Sequence, residues 1–196
     1  TFVSVIDYKT GNASLDLFQI VHGLNMQLPV YLYLVKHSHL FSSVNFTGFY
    51  LQKILSNVKS KKEGLTQIEQ KKEEMKLVGY STSSLERLEK FDVTYQNSEW
   101  IKGMKITSKG FAHYTKIVSD EEIEQIILLT EKKIEETVSK IVSANFVINP
   151  KKIGKENVSC SYCPFSDICY HQEEDTVLLE DQHDLSFLKT GGEENG

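Results

Sequence analysis

Asp7 and Lys9 stand two residues apart at the end of an apolar run, Phe2-Val3-Ser4-Val5-Ile6-Asp7-Tyr8-Lys9. In a strand successive side chains alternate between faces, so Asp7 and Lys9 share one face and Tyr8 takes the other. A carboxylate beside an ammonium suits hydrolysis of a phosphate ester. The carboxylate can hold a divalent cation, and the ammonium can orient a water or stabilise charge building on the phosphate. The triplet also reads as a surface ion pair worth roughly 0–1 kcal/mol. Its context separates the two readings, because the pair ends an apolar strand and is followed by Thr10-Gly11 and then a helical pattern.

Gln27 and Tyr31, at i and i+4, project from one helix face and can hydrogen-bond a phosphate without adding charge. Alone, they read as a half-buried Tyr with an incidental Gln. Cys160, Cys163 and Cys169 follow the spacing Cys-x2-Cys-x5-Cys, with Pro164 after the second. Thiolates so spaced ligate zinc or an iron–sulfur cluster, and His171 could complete a zinc site. An odd number of Cys within ten positions is not a disulfide framework, and three free core Cys fit poorly in a polar, turn-rich segment.

The elements that must position these residues are partly legible. Phe2 to Lys9 reads as a buried strand. Apolar residues at helical spacing run from Leu15 to Val35, with Gly23 and Pro29 expected to break or kink that helix. Asn45 to Leu51 reads as a second strand and Val78 to Thr82 as a short extended segment. Ser84 to Lys90 suggests helical turns. A strand pair is expected around 102–107 and 111–117. Residues 52–76 carry seven Lys and four Glu and read as an exposed, partly helical excursion. The clearest helix begins at Ser119, where Ser119 and Glu122 form a capping-box pattern. Ile123, Ile126, Ile127, Ile134, Val138 and Ile141 would give it one apolar face, and it should end near Asn145.

The chain has 196 residues and a net charge of −5. Residues 173–196 alone carry −7, which leaves +2 on residues 1–172. A near-neutral body with local Lys clusters is compatible with a phosphate backbone but does not demand one. No apolar run reaches the roughly 18 residues of a membrane span. The chain opens on Thr1 in an apolar strand, with no signal or transit pattern, and reads as a fragment of a longer protein. Residues 1–172 are expected to be the C-terminal portion of one domain, and 173–196 an acidic flexible tail.

The order of strand, Asp7-x-Lys9, helix, Gln27-x3-Tyr31 and Cys160-x2-Cys163-x5-Cys169 resembles the PD-(D/E)xK nuclease superfamily. More narrowly it resembles RecB-type nucleases with an iron–sulfur staple. The phrases Val-Ile-Asp-Tyr-Lys-Thr-Gly (5–11), His-Gly-Leu-Asn-Met-Gln-Leu-Pro-Val-Tyr-Leu (22–32) and Cys-Ser-Tyr-Cys-Pro-Phe-Ser-Asp-Ile-Cys (160–169) are most similar to the AddB/RexB subunits of bacterial helicase–nucleases, as is the stretch from Met104 to Lys133. The resemblance spans about residues 1–171. Pattern alone supports only mixed α and β. The resemblance implies a restriction-endonuclease-like α/β fold, a mixed central sheet flanked by helices and incomplete at its N-terminus.

The resemblance also implies roles. Asp7 would be a metal ligand, joined by the Tyr8 backbone carbonyl, for Mg²⁺ or Mn²⁺. Lys9 would be the catalytic lysine, Gln27 and Tyr31 would position the scissile strand, and the three Cys would hold three corners of an iron–sulfur cluster. The family's further metal-binding Asp and fourth Cys lie upstream of any residue here, so the fragment alone is expected to be inactive and to lack a stable cluster. The implied whole is a cytoplasmic DNA exonuclease working with an AddA/RexA-like helicase–nuclease partner subunit on double-strand ends for recombinational repair. Three other readings stay open: a DNA-end-binding or subunit-docking module with a vestigial site, a CRISPR-associated or stand-alone RecB-like exonuclease, and a zinc-stapled structural domain using His171.

Overall fold

The computed structural model describes residues 1–56, 64–161, 163–179, 185 and 188. Strand β1 (Phe2–Lys9) leads through a 3-10 turn (Phe18–His22) to helix α1 (Gln27–Lys36) and then to β2 (Asn45–Lys53). The helical pattern expected across 15–35 is thus two pieces. The break falls at Gly23, whose φ of 75° lies in the left-handed region that favours glycine. Pro29 breaks nothing, because it is the third residue of α1, where a backbone N–H has no partner within the helix to lose.

β1 and β2 run parallel, with Val5 opposite Phe49 and Lys9 opposite Lys53. Phe46 and Phe49 both enter the same core although they are three residues apart, which simple alternation forbids. The register shifts by one between Val3 and Ser4, and this irregularity near Thr47 turns both rings to one side. β3 (Val78–Thr82) pairs antiparallel to β2. A Cβ at Gly79 would lie 2.1 Å from the Phe49 carbonyl oxygen, so only glycine permits this approach.

The Lys/Glu-rich stretch is shorter than expected. β2 continues to Lys53, and α2 (Gln67–Glu74) forms behind a Thr66/Glu69 capping box, while residues 57–63 lie outside the described residues. Helix α3 (Leu85–Phe91) follows β3. The strand pair expected around 102–117 divides: β4 (Ile106–Thr107) and β5 (Gly110–Phe111) make a small hairpin, whereas β6 (Ile117–Val118) joins the central sheet parallel to β3. The central sheet is therefore a mixed one of order β1-β2-β3-β6, with β1 on its edge.

Helix α4 (Asp120–Val142) begins at the expected capping box, with the Ser119 hydroxyl accepting from the Glu122 N–H. Leu28 and Leu32 of α1 and Ile123, Ile126 and Ile127 of α4 pack on one face of the sheet with Val5, Phe46 and Phe49. On the other face Tyr50, Leu77, Leu88, Ile101 and Met104 form a second core beneath α3, and the Tyr50 ring stacks on Phe91 at 5.5 Å. This is the mixed sheet between helices that the resemblance implies. α3 does not reach over β1, so Phe2, Ile6 and Tyr8 stay exposed and β1 is buried on one face only.

The apolar face expected along α4 holds for its first half alone. Val138 and Ile141 are more than half exposed, and the helix ends at Val142. Beyond it β7 (Lys151–Ile153), β8 (Glu156–Asn157) and β9 (Val177–Leu179) make a separate sheet of order β8-β7-β9. The segment expected to be a flexible tail from residue 173 is ordered at its start: it supplies β9, which runs parallel to β7, and Leu188 is buried in the main core. Its last residues, 189–196, lie outside the described residues. Among the described residues no helix is long and apolar enough to cross a membrane.

Candidate active site

Side chains Val3, Val5, Asp7 and Lys9 form one row of β1. Val5 enters the core and Val3 packs against it beneath α1, and at Asp7 the row turns from apolar to charged. α1 begins above this polar end with Gln27. The Gln27 carboxamide joins the row together: its Nε2 donates to Asp7 Oδ1 at 2.9 Å and to Tyr31 Oη at 3.0 Å, and its Oε1 accepts from the Lys9 ammonium. Only this orientation of the amide works, since the flipped one would set NH₂ against ammonium and oxygen against carboxylate. Lys9 Nζ lies 2.8 Å from Asp7 Oδ2. The four residues singled out by spacing, two from a strand and two from a helix, are thus brought into one connected set.

The set has a hard-oxygen donor to spare. Asp7 Oδ2 is buried and accepts no hydrogen bond, despite its close ion-pair contact with Lys9. The two facts agree if the ammonium approaches without aligning an N–H on that oxygen. A carboxylate oxygen with unused lone pairs fits Mg²⁺ or Mn²⁺ and would not favour zinc. The Tyr8 carbonyl fits as a second donor. The Lys9 carbonyl accepts from Ile54 N–H at 3.0 Å and so points toward β2. Successive carbonyls of a strand point to opposite sides, which turns that of Tyr8 to the outer edge of the sheet, where no described strand pairs with β1. Asp7 is the one carboxylate in the connected set, and among the described residues no group of three His, Cys, Asp or Glu stands ready to share a metal ion.

Lys53, beside this set, and His22, on the turn before α1, were missed in the sequence. Lys53 is the register partner of Lys9, faces the same side and is buried, with its ammonium paired to Glu74 at the end of α2. Glu74 also accepts from Ser56 Oγ at 2.5 Å. The signal was the alternation Phe49, Leu51, Lys53, which puts Lys53 on the core face, but the surrounding Lys and Glu made the stretch look like solvated surface. His22, which ends the 3-10 turn before α1, has a buried Nε2 without a hydrogen bond. Burial, and then the ammonium groups of Lys151 and Lys133, lower its pKa.

The Cys segment is a different kind of place. All three thiols are half-buried and unpaired by disulfides. Cys160 N–H donates to Asn157 Oδ1 at 2.9 Å, Cys163 N–H to the Cys160 carbonyl at 3.1 Å, and Cys169 N–H to the Phe165 carbonyl at 3.0 Å at the end of the short helix α5 (Ser166–Cys169). These are local turn bonds, and they do not draw the three sulfurs into a ligand group. His171 lines a cavity with Lys152 and Lys155 instead, and two ammonium groups there oppose a dication.

Comparison with known proteins bears on both places. A family model described as the PD-(D/E)XK nuclease superfamily matches residues 2–170. An ATP-dependent helicase/deoxyribonuclease subunit of Caldanaerobacter subterraneus subsp. tengcongensis is 30% identical over 175 residues, covering 86% of this chain and 15% of that protein. The protein of the same name from Carboxydothermus hydrogenoformans is 27% identical over 181 residues, 89% of this chain and 16% of its own length. The one from Enterococcus faecalis is 25% identical over 199 residues, 93% of this chain and 16% of its own length. The chain thus spans about 15–16% of the length of these curated relatives.

Proposed function

The chain belongs to the PD-(D/E)XK nuclease superfamily, and from that premise we propose that it carries the metal-dependent DNA-hydrolysing site of a helicase–nuclease subunit, with Asp7 and Lys9 as the reacting pair. The observation that carries this reading is the Gln27 amide tying Asp7 and Lys9 into one set at the end of β1. Asp7 and the Tyr8 carbonyl would hold Mg²⁺ or Mn²⁺, which when bound supplies Lewis-acid activation of water and neutralises charge at the phosphate. Lys9 orients the attacking water or stabilises the charge that develops on the phosphate oxygens. Gln27 fixes the direction of both side chains, and Tyr31, held by Gln27, presents its phenol to the strand being cut.

In this reading the activity is exonucleolytic, acts on double-strand DNA ends for recombinational repair in the cytoplasm, and is coupled to an AddA/RexA-like partner subunit. The names of the relatives support a helicase and a deoxyribonuclease in one assembly. Cys160, Cys163 and Cys169 would supply three thiolates to an iron–sulfur cluster. That assignment rests on their spacing and on the resemblance, and no step of hydrolysis uses it.

The test is Lys9→Ala in the intact protein, assayed with Mg²⁺ on linear DNA. Cleavage should fall by at least about 10²–10³-fold, as on removal of a group that stabilises a transition-state oxyanion. Retained cleavage would remove Lys9 from the mechanism. A second reading, a DNA-end-binding or docking module with a vestigial site, is favoured by one observation: the connected set contains a single carboxylate. Intact wild-type protein that binds DNA ends and never cuts them with Mg²⁺ or Mn²⁺ would decide for that reading.

A further inference from the structure

The sheet β8-β7-β9 holds a cavity of about 400 Å³ lined by Lys152, Lys155, Asn157, His171, Thr176 and Glu173. Its polar lining is mostly donor. Two lysines line it, and His171 has an N–H in either protonation state. Asn157 Oδ1 is already engaged by Cys160 N–H, which leaves its NH₂ end to donate. Thr176 adds a hydroxyl. Glu173 is the one carboxylate among the lining residues, so the two lysines leave a net positive site. A donor-rich, cationic recess of this size suits a phosphate group and disfavours the zinc ion that His171 suggested in the sequence.

Lys151, next to Lys152 on β7, takes the opposite face of that strand, where its charge adds to burial in lowering the pKa of His22. Burial, and then the charges of Lys140 and Lys133 on α4, lower the pKa of Lys151. Cations gathered so closely repel one another and gain from a polyanion that crosses them. We propose that the cavity binds a backbone phosphate of the DNA strand and so forms a positioning subsite separate from the cleavage residues. The proposal rests on the nuclease reading above.

The experiment measures binding of a fluorescein-labelled single-stranded oligonucleotide to the intact protein by anisotropy, in EDTA to prevent metal-dependent cleavage. A salt series from about 50 to 200 mM separates phosphate neutralisation from other interactions. The double variant Lys152→Gln/Lys155→Gln should bind more weakly at low salt. Its slope of log affinity against log salt should be shallower by about 0.7, the value for one single-strand phosphate that is no longer neutralised. Lys155→Gln alone, at an exposed position, should show about half of that change and serves if the double variant does not fold. Lys152→Arg/Lys155→Arg should keep the wild-type slope. Unchanged affinity and slope in the Gln variants, with Mg²⁺-dependent cleavage retained, would overturn the subsite and leave the nuclease reading standing. Calorimetry with inorganic phosphate separates the two sources of that ligand: phosphate binding abolished in the variants while DNA binding is unchanged would assign the cavity to free phosphate and overturn the proposal. Wild-type protein that neither binds nor cuts DNA would overturn both.

Discussion

The end of β1 and the Cys-bearing segment contain the two groups of residues most suggestive of chemistry, and they are built in opposite ways. Asp7 and Lys9 extend a row whose inner members pack into the core, and their partner Gln27 comes from a helix packed on that row. The geometry is fixed by sheet register and by a core on the same face. The Cys segment hangs on three local turn bonds and follows the half of α4 that leaves Val138, Ile141 and Val142 exposed. Alignment that depends on a core is available without a ligand. Alignment of three thiolates from turns needs the ligand itself, because metal binding supplies the free energy that ordering those turns costs. One region is held in place by the fold, whereas three thiolates in the other would need a ligand to align them.

The two halves of α4 offer the sharpest way to break this contrast. Ile126→Ala, at a fully buried position, should cost about 2–5 kcal/mol in denaturant unfolding. Ile141→Ala, on the exposed half, should stay within about 0.5 kcal/mol of wild type. Equal losses would mean that the second half of α4 belongs to the core after all. Gln27→Leu comes next. It removes the bridge to Asp7 and Lys9 while keeping bulk, and should slow Mg²⁺-dependent cleavage by about ten- to hundredfold, the worth of one hydrogen bond to charged groups. Wild-type rates in that variant would show that the strand alone fixes the pair.

Smaller effects test the scaffold. Ser119→Ala opens the capping box of α4 and should lower stability by about 1 kcal/mol, seen as a shift of the denaturation midpoint. The smallest concerns acid stability. Arg87 hydrogen-bonds Asp120 and holds its carboxyl below the ordinary 3.8. A depressed carboxyl stabilises the fold at pH values above that ordinary value and loses its contribution as pH falls through the folded pKa. Since Asp120 is more than half exposed, the pair should contribute less than about 1 kcal/mol. Asp120→Asn should therefore flatten the loss of stability below about pH 4 and leave neutral pH nearly unchanged.

Features that depend on neighbours in the chain were legible in advance. The Ser119 capping box, the extended segment 78–82 and the shared face of Asp7 and Lys9 each follow from spacing alone. Features set by distant partners were not. Nothing local says that the β1–β2 register shifts near Thr47, that Ile117 and Val118 leave the hairpin to join β3, or that Val177–Leu179 of an acidic segment pairs with β7. Lys53 was hidden because its composition suggested solvent while its strand position required burial. His171 was read with the Cys next to it in sequence, and the fold sets it with Lys152 and Lys155.

The central claim is a division of labour between Asp7 and Lys9, and calorimetric titration of Mn²⁺ into the intact protein, paired with a cleavage assay on linear DNA, tests it most directly. Asp7→Asn should lose both metal binding and cleavage, whereas Lys9→Ala should bind Mn²⁺ with near wild-type affinity and fail to cut. Asp7→Asn protein that still binds the metal and cuts DNA would contradict the account.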